Sequence, residues 1–513
     1  MPDHESAQRR VAIIGSGFSG LCLGIQLKQA GIHSFTIYEK SDRLGGTWRD
    51  NTYPGAACDI PSFAYCFSFA QKTDWSAKWA PHHEILAYME HCAEQYGLLP
   101  HIRFRTEIAG ARFDEAEGVW RLRTTEGEES VADVLVSGVG QLNRPSVPPL
   151  AGLERFRGEQ FHSAHWNHGY DLGGKSVAVV GNAASAIQFI PEIAPQVRQL
   201  YVLQRSPNWM LPRNNRAYGA REQRRFTRHP WLARLYRWAL WLQHELRFPI
   251  IARNPLFSRV AERAARSYLD AQVADPALRA ALVPDYPIGG KRLLISDDYY
   301  QALGRANVEL VTSGIDHFTE DAVVTRDGRV RKLDCAILAT GFESTSFLAP
   351  MRIEGRGGRS LHDEWKDGAH AYLGLTVAGF PNLFMMYGPN TNLGHNSIIF
   401  MIECQTCYIM DCLRQMRARD LRWIDLRPAV MAAYNTRIQR QLARTAWAGT
   451  GKSWYKTATG VITNNWPGTT VRYWWCTRHA DLADYEVAAR SDGTHAAGGA
   501  GAVRPRDPAA AAA

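Results

Sequence analysis

Gly15, Gly17 and Gly20 stand in the order G-x-G-x-x-G, a spacing that lets a chain lay backbone N–H groups against a pyrophosphate. In such a cradle Gly15 makes the turn, Gly17 lets the backbone approach the phosphates, and Gly20 allows close packing of helix on strand. Glu39 follows Gly15 by 24 residues, the position from which an acid accepts a hydrogen bond from a ribose hydroxyl. A second, degenerate copy reads Gly181-Asn-Ala183-Ala-Ser185-Ala186, with Ala183 where the phosphate-approaching glycine is expected. Its methyl group is expected to push a phosphate outward. Here the residue 24 positions on is Arg205, followed by Ser206. An acid repels a 2′-phosphate, whereas an arginine pairs with it through two charge-assisted hydrogen bonds. The two cradles therefore imply two dinucleotides: FAD at the N-terminal one, ahead of a second copy, and NADPH at the second, against Gly181, Ser185, Arg205 and Ser206.

Each cradle needs a strand before it and a helix after it. Val11 to Ile14 is a short apolar run, the segment after Gly20 has helical apolar spacing, and Phe35 to Tyr38 reads as the next strand. The pattern recurs as a strand at Ser176 to Val180, a helix from about Ala184 to Ile193 and a strand at Gln199 to Leu203. A third strand-like run, Asp334 to Leu338, leads through Ala339-Thr340-Gly341 back to the first unit. The expected fold is α/β, with two Rossmann-like dinucleotide-binding domains, the NADP domain nested in the FAD domain, and a helical insertion. Residues 1–155 form the first part of the FAD domain and residues 156–335 the NADP domain, with the insertion at about 211–284. Residues 336–490 complete the FAD domain and the substrate side. The Ala- and Gly-rich residues 491–513 read as a disordered tail.

Further segments carry a family resemblance. Gly45-Gly46-Thr-Trp48-Arg-Asp-Asn-Thr-Tyr53-Pro54-Gly55-Ala-Ala-Cys-Asp59 resembles the GGxWxxxx(F/Y)PGxxxD segment of type I Baeyer–Villiger monooxygenases. Phe156 to Trp166 is similar to that family's fingerprint FxGxxxHxxxW, with Asn167 departing from the Pro or Asp that usually follows. Gly290-Lys291-Arg292, Ala339-Thr340-Gly341 and Gly388-Pro389-Asn390 resemble its active-site arginine segment, interdomain linker and flavin-side loop. The likeness runs from Val11 to about Arg478.

The resemblance implies an enzyme in which NADPH reduces FAD, O2 adds at flavin C4a, and the resulting peroxide attacks a ketone to give an ester or lactone. Arg292 is then the catalytic cation. A guanidinium stays protonated and has fixed donors for developing negative charge. Asp59 orients it. Lys291 is assigned to the 2′-phosphate and Trp48 to the flavin side, both by resemblance. His162 reads as a hinge or packing residue, and His162, His165 and His168 lack the carboxylate or Cys companions of a metal site. Two other readings stand beside this one: a flavin monooxygenase giving N- or S-oxides, and a two-dinucleotide FAD reductase; Cys404 and Cys407, on an apolar helical run, read as core cysteines rather than a redox pair. Trp166, where the N- and S-oxidising enzymes carry Tyr or Phe, favours the ketone.

The composition fits a globular protein of roughly three domains: 513 residues, 45% hydrophobic and 21% charged. Nine scattered cysteines and a polar N-terminus without a signal-like apolar stretch point to the cytoplasm. Thirteen Arg and three Glu fall between Arg213 and Arg266, which accounts for the net charge of +9 without nucleic acid as a partner. Within it, the basic, aromatic stretch Trp231 to Phe257 reads as a helical lid over a substrate channel, with weak membrane-surface association as the competing reading.

Overall fold

The structure, a computed structural model, describes residues 9–451 and 453–490. The segment expected to be a disordered tail, 491–513, lies outside the described residues. Two five-stranded sheets organise the molecule. In the first, Val11–Ile14 is central, flanked by Phe35–Tyr38 and Val134–Ser137, with Ile102–Arg103 and Leu383–Met385 at the edges. All four pairings are parallel. Val11–Ile14 is buried along its whole length, as a strand covered on both faces must be, and its unbroken apolar run supplies that surface.

The second sheet is also parallel. Its order is Val308–Val311, Gln199–Leu203, Ser176–Val180, Cys335–Leu338 and Glu159–His162. Every one of these strands falls in the chain between Val134–Ser137 and Leu383–Met385, so the second unit is nested in the first. The two crossings run side by side. Ser146 donates its backbone N–H to the Gly341 carbonyl at 2.8 Å and Glu343 donates to Arg144 at 2.9 Å. Arg144 also pairs with Glu343 at 2.7 Å. His162 ends its strand beside this junction, opposite Leu338.

The basic stretch folds into helices Ala220–Arg228, Pro230–Glu245, Phe248–Ile251, Pro255–Gln272 and Pro276–Ala281. Local chemistry starts two of them. The side chains of Asn254 and Asp275 accept from backbone N–H groups of the first turn, and a proline follows each cap. The ends of the insertion are tied by a short parallel pair, Met210–Leu211 with Leu294–Ile295. Arg237 anchors it to the first unit by donating to the Phe63 and Cys66 carbonyls at 3.0 and 2.7 Å.

Candidate active site

A single cavity of about 1430 Å³ lies between the two sheets, lined from both cradles. The two crossings, the loop around Asp59 and the loop around Arg292 complete its walls. Of the residues singled out by spacing or resemblance, Gly15, Gly17, Glu39, Trp48, Asp59, Gly181, Ser185, Arg205, Ser206, Lys291 and Arg292 all line it. Gly20 does not. A Cβ there would sit 2.0 Å from the Gly15 carbonyl oxygen, so its role is the close helix-to-turn contact.

The first cradle has the shape of a dinucleotide site. Gly15 adopts φ +100° with Gly138 against it, whereas a Cβ on Gly17 would meet nothing within 4 Å, which leaves that backbone open for a phosphate. Glu39 is buried. It accepts from the Ser16 N–H at 3.0 Å, the Ser16 hydroxyl at 2.6 Å and the Ser41 N–H at 3.0 Å. Arg49 donates to it at 3.0 Å. Burial opposes its charge, but the hydrogen bonds from Ser16 and Ser41 and the Arg49 charge hold the carboxyl below the usual range. Arg49 escaped sequence reasoning, because a buried arginine pairing across a loop has no spacing signature.

At the second cradle Gly181 has φ +111°, and a Cβ would meet the Ala339 carbonyl oxygen at 2.4 Å. Ala183, the departure from the glycine pattern, is exposed. Arg205, Ser206 and Lys291 converge. Lys291 donates to the Ser206 hydroxyl at 2.7 Å and its ammonium lies 4.3 Å from the Tyr286 ring centre. Burial and then the nearby Arg205 charge lower the lysine's pKa. Two cations held beside a hydroxyl, each disfavouring the other, form a pocket that gains from a dianion.

Asp59 and Arg292 are 233 positions apart and meet across the two units. Arg292 donates through Nε to Asp59 Oδ2 at 2.6 Å, and its Nη2 lies at ion-pair distance, 2.6 Å, from the same oxygen. Burial works against the guanidinium's charge, but Asp59 outweighs it, with smaller contributions from Tyr455 and Tyr387, and the pKa lies above the ordinary value. The Asp59 loop is set by the second unit. Gln188, on helix Ala186–Ile193, accepts from the Tyr53 hydroxyl at 2.9 Å and donates to the Ala57 carbonyl at 2.9 Å. Gly55, at φ +74°, brings its backbone so near that a Cβ would lie 2.7 Å from the Gln188 carbonyl oxygen. On the other side, Gly290 packs against Thr450 with no room for a Cβ, which would sit 2.4 Å from the threonine methyl. Trp48 donates to the Tyr65 hydroxyl at 3.2 Å. Tyr387, Asn392 and Trp454 also line the cavity; no motif marked them.

Several expected neighbours lie elsewhere. No residue of 211–284 lines the cavity, which corrects the reading of the insertion as a lid over a substrate channel. It braces the walls from behind, through Ile250 against Gly289 and Ile251 against Gly394. Trp166 packs on Phe161 and Phe189, and Asn167 donates to Glu159 at 2.7 Å. His162 accepts the Ala164 N–H at 3.1 Å. Burial, then His165, lowers its pKa, which suits a neutral packing group. Cys404 and Cys407 lie on helix Ile398–Ala418 outside the cavity, and burial raises both thiols.

With this geometry in view, the comparisons with known proteins are decisive. The family described as flavin-binding monooxygenase-like matches residues 8–352. The chain belongs to this family. It is 44% identical over 480 residues to a Baeyer–Villiger monooxygenase of Pseudomonas aeruginosa, covering 93% of this chain and 91% of the relative. A Baeyer–Villiger monooxygenase of Streptomyces coelicolor is 43% identical, with 95% and 94% covered. A solved structure described as OTEMO in complex with FAD and NADP superposes with a TM-score of 0.84 at 25% identity, over 94% of this chain and 99% of that one. As a family member the protein is an enzyme, a flavin-dependent monooxygenase.

Proposed function

We propose that the protein is a Baeyer–Villiger monooxygenase that uses FAD, NADPH and O2 to convert a ketone into an ester or lactone. The observation that carries the reading is the Arg292–Asp59 ion pair, set in the wall of a cavity that also takes in both dinucleotide cradles. The full-length relatives that bear the same activity in their names support it.

Gly15, Gly17 and Glu39 would hold FAD, and Gly181, Ser185, Arg205, Ser206 and Lys291 would hold NADPH. When bound, the flavin supplies hydride acceptance and O2 activation. The chain supplies position and charge. Arg292 presents fixed N–H donors to the carbonyl oxygen of the ketone, where negative charge grows as oxygen adds to the carbonyl carbon. Asp59 accepts from Nε and pairs with Nη2, and so orients the guanidinium. The apolar walls Leu393, Ile398, Ile402 and Trp454 exclude water around the reacting carbonyl.

The overall reaction balances as ketone, O2, NADPH and a proton going to ester, water and NADP+. The O–O bond breaks, one oxygen enters beside the carbonyl carbon, and the other leaves as water with the two electrons from NADPH. The nine cysteines are all unpaired, which suits a reducing, cytoplasmic setting, and among the described residues no helix is long and apolar enough to cross a membrane. The test is product mass from FAD-loaded protein, NADPH and O2 with a panel of linear and cyclic ketones and of sulfides. Esters or lactones support the proposal; sulfoxides as the sole products overturn it.

A further inference from the structure

The outward face of the insertion is apolar where solvent should favour polar side chains. Trp231, Leu235 and Trp238 are 61%, 56% and 57% exposed. They recur at the spacing of a single helical face on Pro230–Glu245. The opposite face holds Ala233 and Leu240 in the core, so the exposed stripe is not needed for packing. At the helix's end Leu246 continues it, and the next long helix opens with exposed Leu256, Phe257 and Val260. The same helices are rich in arginine. Arg224, Arg225, Arg228, Arg234, Arg259 and Arg263 are all exposed, and among the described residues no carboxylate lies within ion-pair distance of them. A stripe of exposed tryptophans and leucine on one helix face marks an interaction site.

We infer that this face of the helical insertion docks on an anionic phospholipid surface, with the helices lying in the interface. Tryptophans are the side chains that rest at the boundary between headgroups and acyl chains, and the arginine rim complements phosphate headgroups. A second copy of the chain is a poorer occupant, because a two-fold contact sets like arginine rims against each other. The cavity opens independently of this face, since no residue of 211–284 lines it. An apolar ketone dissolved in a bilayer is thus met by an enzyme held at its surface.

The test is flotation of the FAD-loaded full chain with vesicles of phosphatidylcholine alone and of phosphatidylcholine mixed with phosphatidylglycerol, at low and high salt. The wild type is expected to float with the mixed vesicles at low salt, less at high salt, and little with phosphatidylcholine alone. The double variant Trp231→Ala, Trp238→Ala is expected to stay unbound. Arg224→Gln with Arg225→Gln is expected to lower partitioning about fivefold per arginine. All four side chains are exposed and outside the cavity, so ketone turnover without vesicles and thermal unfolding are expected to remain those of the wild type. Absence of flotation with mixed vesicles at low salt overturns the inference, as does equal flotation of the tryptophan variant. A dimer in sedimentation velocity that the tryptophan variant dissociates, without vesicle binding, assigns the face to a second copy instead. Vesicle binding is read without substrate, so its outcome is separate from that of the proposed activity.

Discussion

Replacing Arg205 with alanine tests the proposed basis of coenzyme choice. Arg205 lies near Lys291, which is itself hydrogen-bonded to Ser206 at 2.7 Å, and after burial the Arg205 charge is what lowers the lysine's pKa. A charge-assisted pair to a phosphate contributes about 1.5–3 kcal/mol. At about 1.4 kcal/mol per factor of ten, its loss lowers kcat/KM for NADPH by roughly tenfold to 150-fold. NADH has no 2′-phosphate and is expected to lose almost nothing, so the preference ratio falls by the same factor. Part of the preference survives in the variant, because removing one cation relieves its neighbour and leaves Lys291 better able to carry charge. The double variant Arg205→Ala, Lys291→Ala is expected to remove that remainder. The assay is steady-state kinetics with each coenzyme at a fixed ketone concentration, with kcat at saturating NADPH close to wild type. Equal losses for NADPH and NADH would refute the reasoning, since they would show a general defect of the second unit in place of a lost phosphate contact.

Two predictions concern stability. His244 is buried, donates to the Leu240 carbonyl at 2.8 Å and is pushed down to about 4 by burial and then by Arg247. The unfolded chain therefore binds a proton that the folded chain refuses between about pH 6.5 and 4. The stabilisation is complete above pH 6.5 and lost as pH falls through that window, by at most about 3 kcal/mol. His244→Gln is expected to flatten that part of the pH profile in denaturant unfolding; an unchanged slope counts against it. Gly55→Ala puts a Cβ at φ +74°, 2.7 Å from the Gln188 carbonyl oxygen, and is expected to cost about 2 kcal/mol or more in the same assay. A neutral result would show that the Asp59 loop does not depend on this contact.

The strands that open and flank the two cradles were legible as short, mostly apolar runs beside glycine-rich turns, and Val11–Ile14 and Ser176–Val180 fall where the sequence places them, whereas edge strands such as Glu159–His162 and Val308–Val311 are interrupted by polar residues and were not read. The insertion's helices were legible as a class, and Asn254-Pro255 and Asp275-Pro276 mark two of their starts. The antiparallel sheets were not. Ile108–Asp114 pairs antiparallel with Val119–Thr124 nearby but also, in parallel, with Arg352–Glu354 far along the chain, and short half-buried strands give little periodicity to read. The site divided in the same way. Glycine spacing and its flanking strands singled out two turns that both line the cavity, because a phosphate cradle is local in sequence. The Asp59–Arg292 pair was reached through resemblance, since nothing in the spacing relates residues 233 apart. Arg49, Gln188, Tyr387 and Trp454 came only with the fold.

The most direct test of the account is the yield of ester per NADPH oxidised, compared between wild type and Arg292→Ala with the same ketone. If Arg292 stabilises the charge that grows on the carbonyl oxygen, the variant is expected to keep oxidising NADPH while ester formation falls about 10²–10³-fold and H2O2 takes its place. Ester formed by the variant at the wild-type yield and rate, or no ester from the wild type with any ketone, would contradict it.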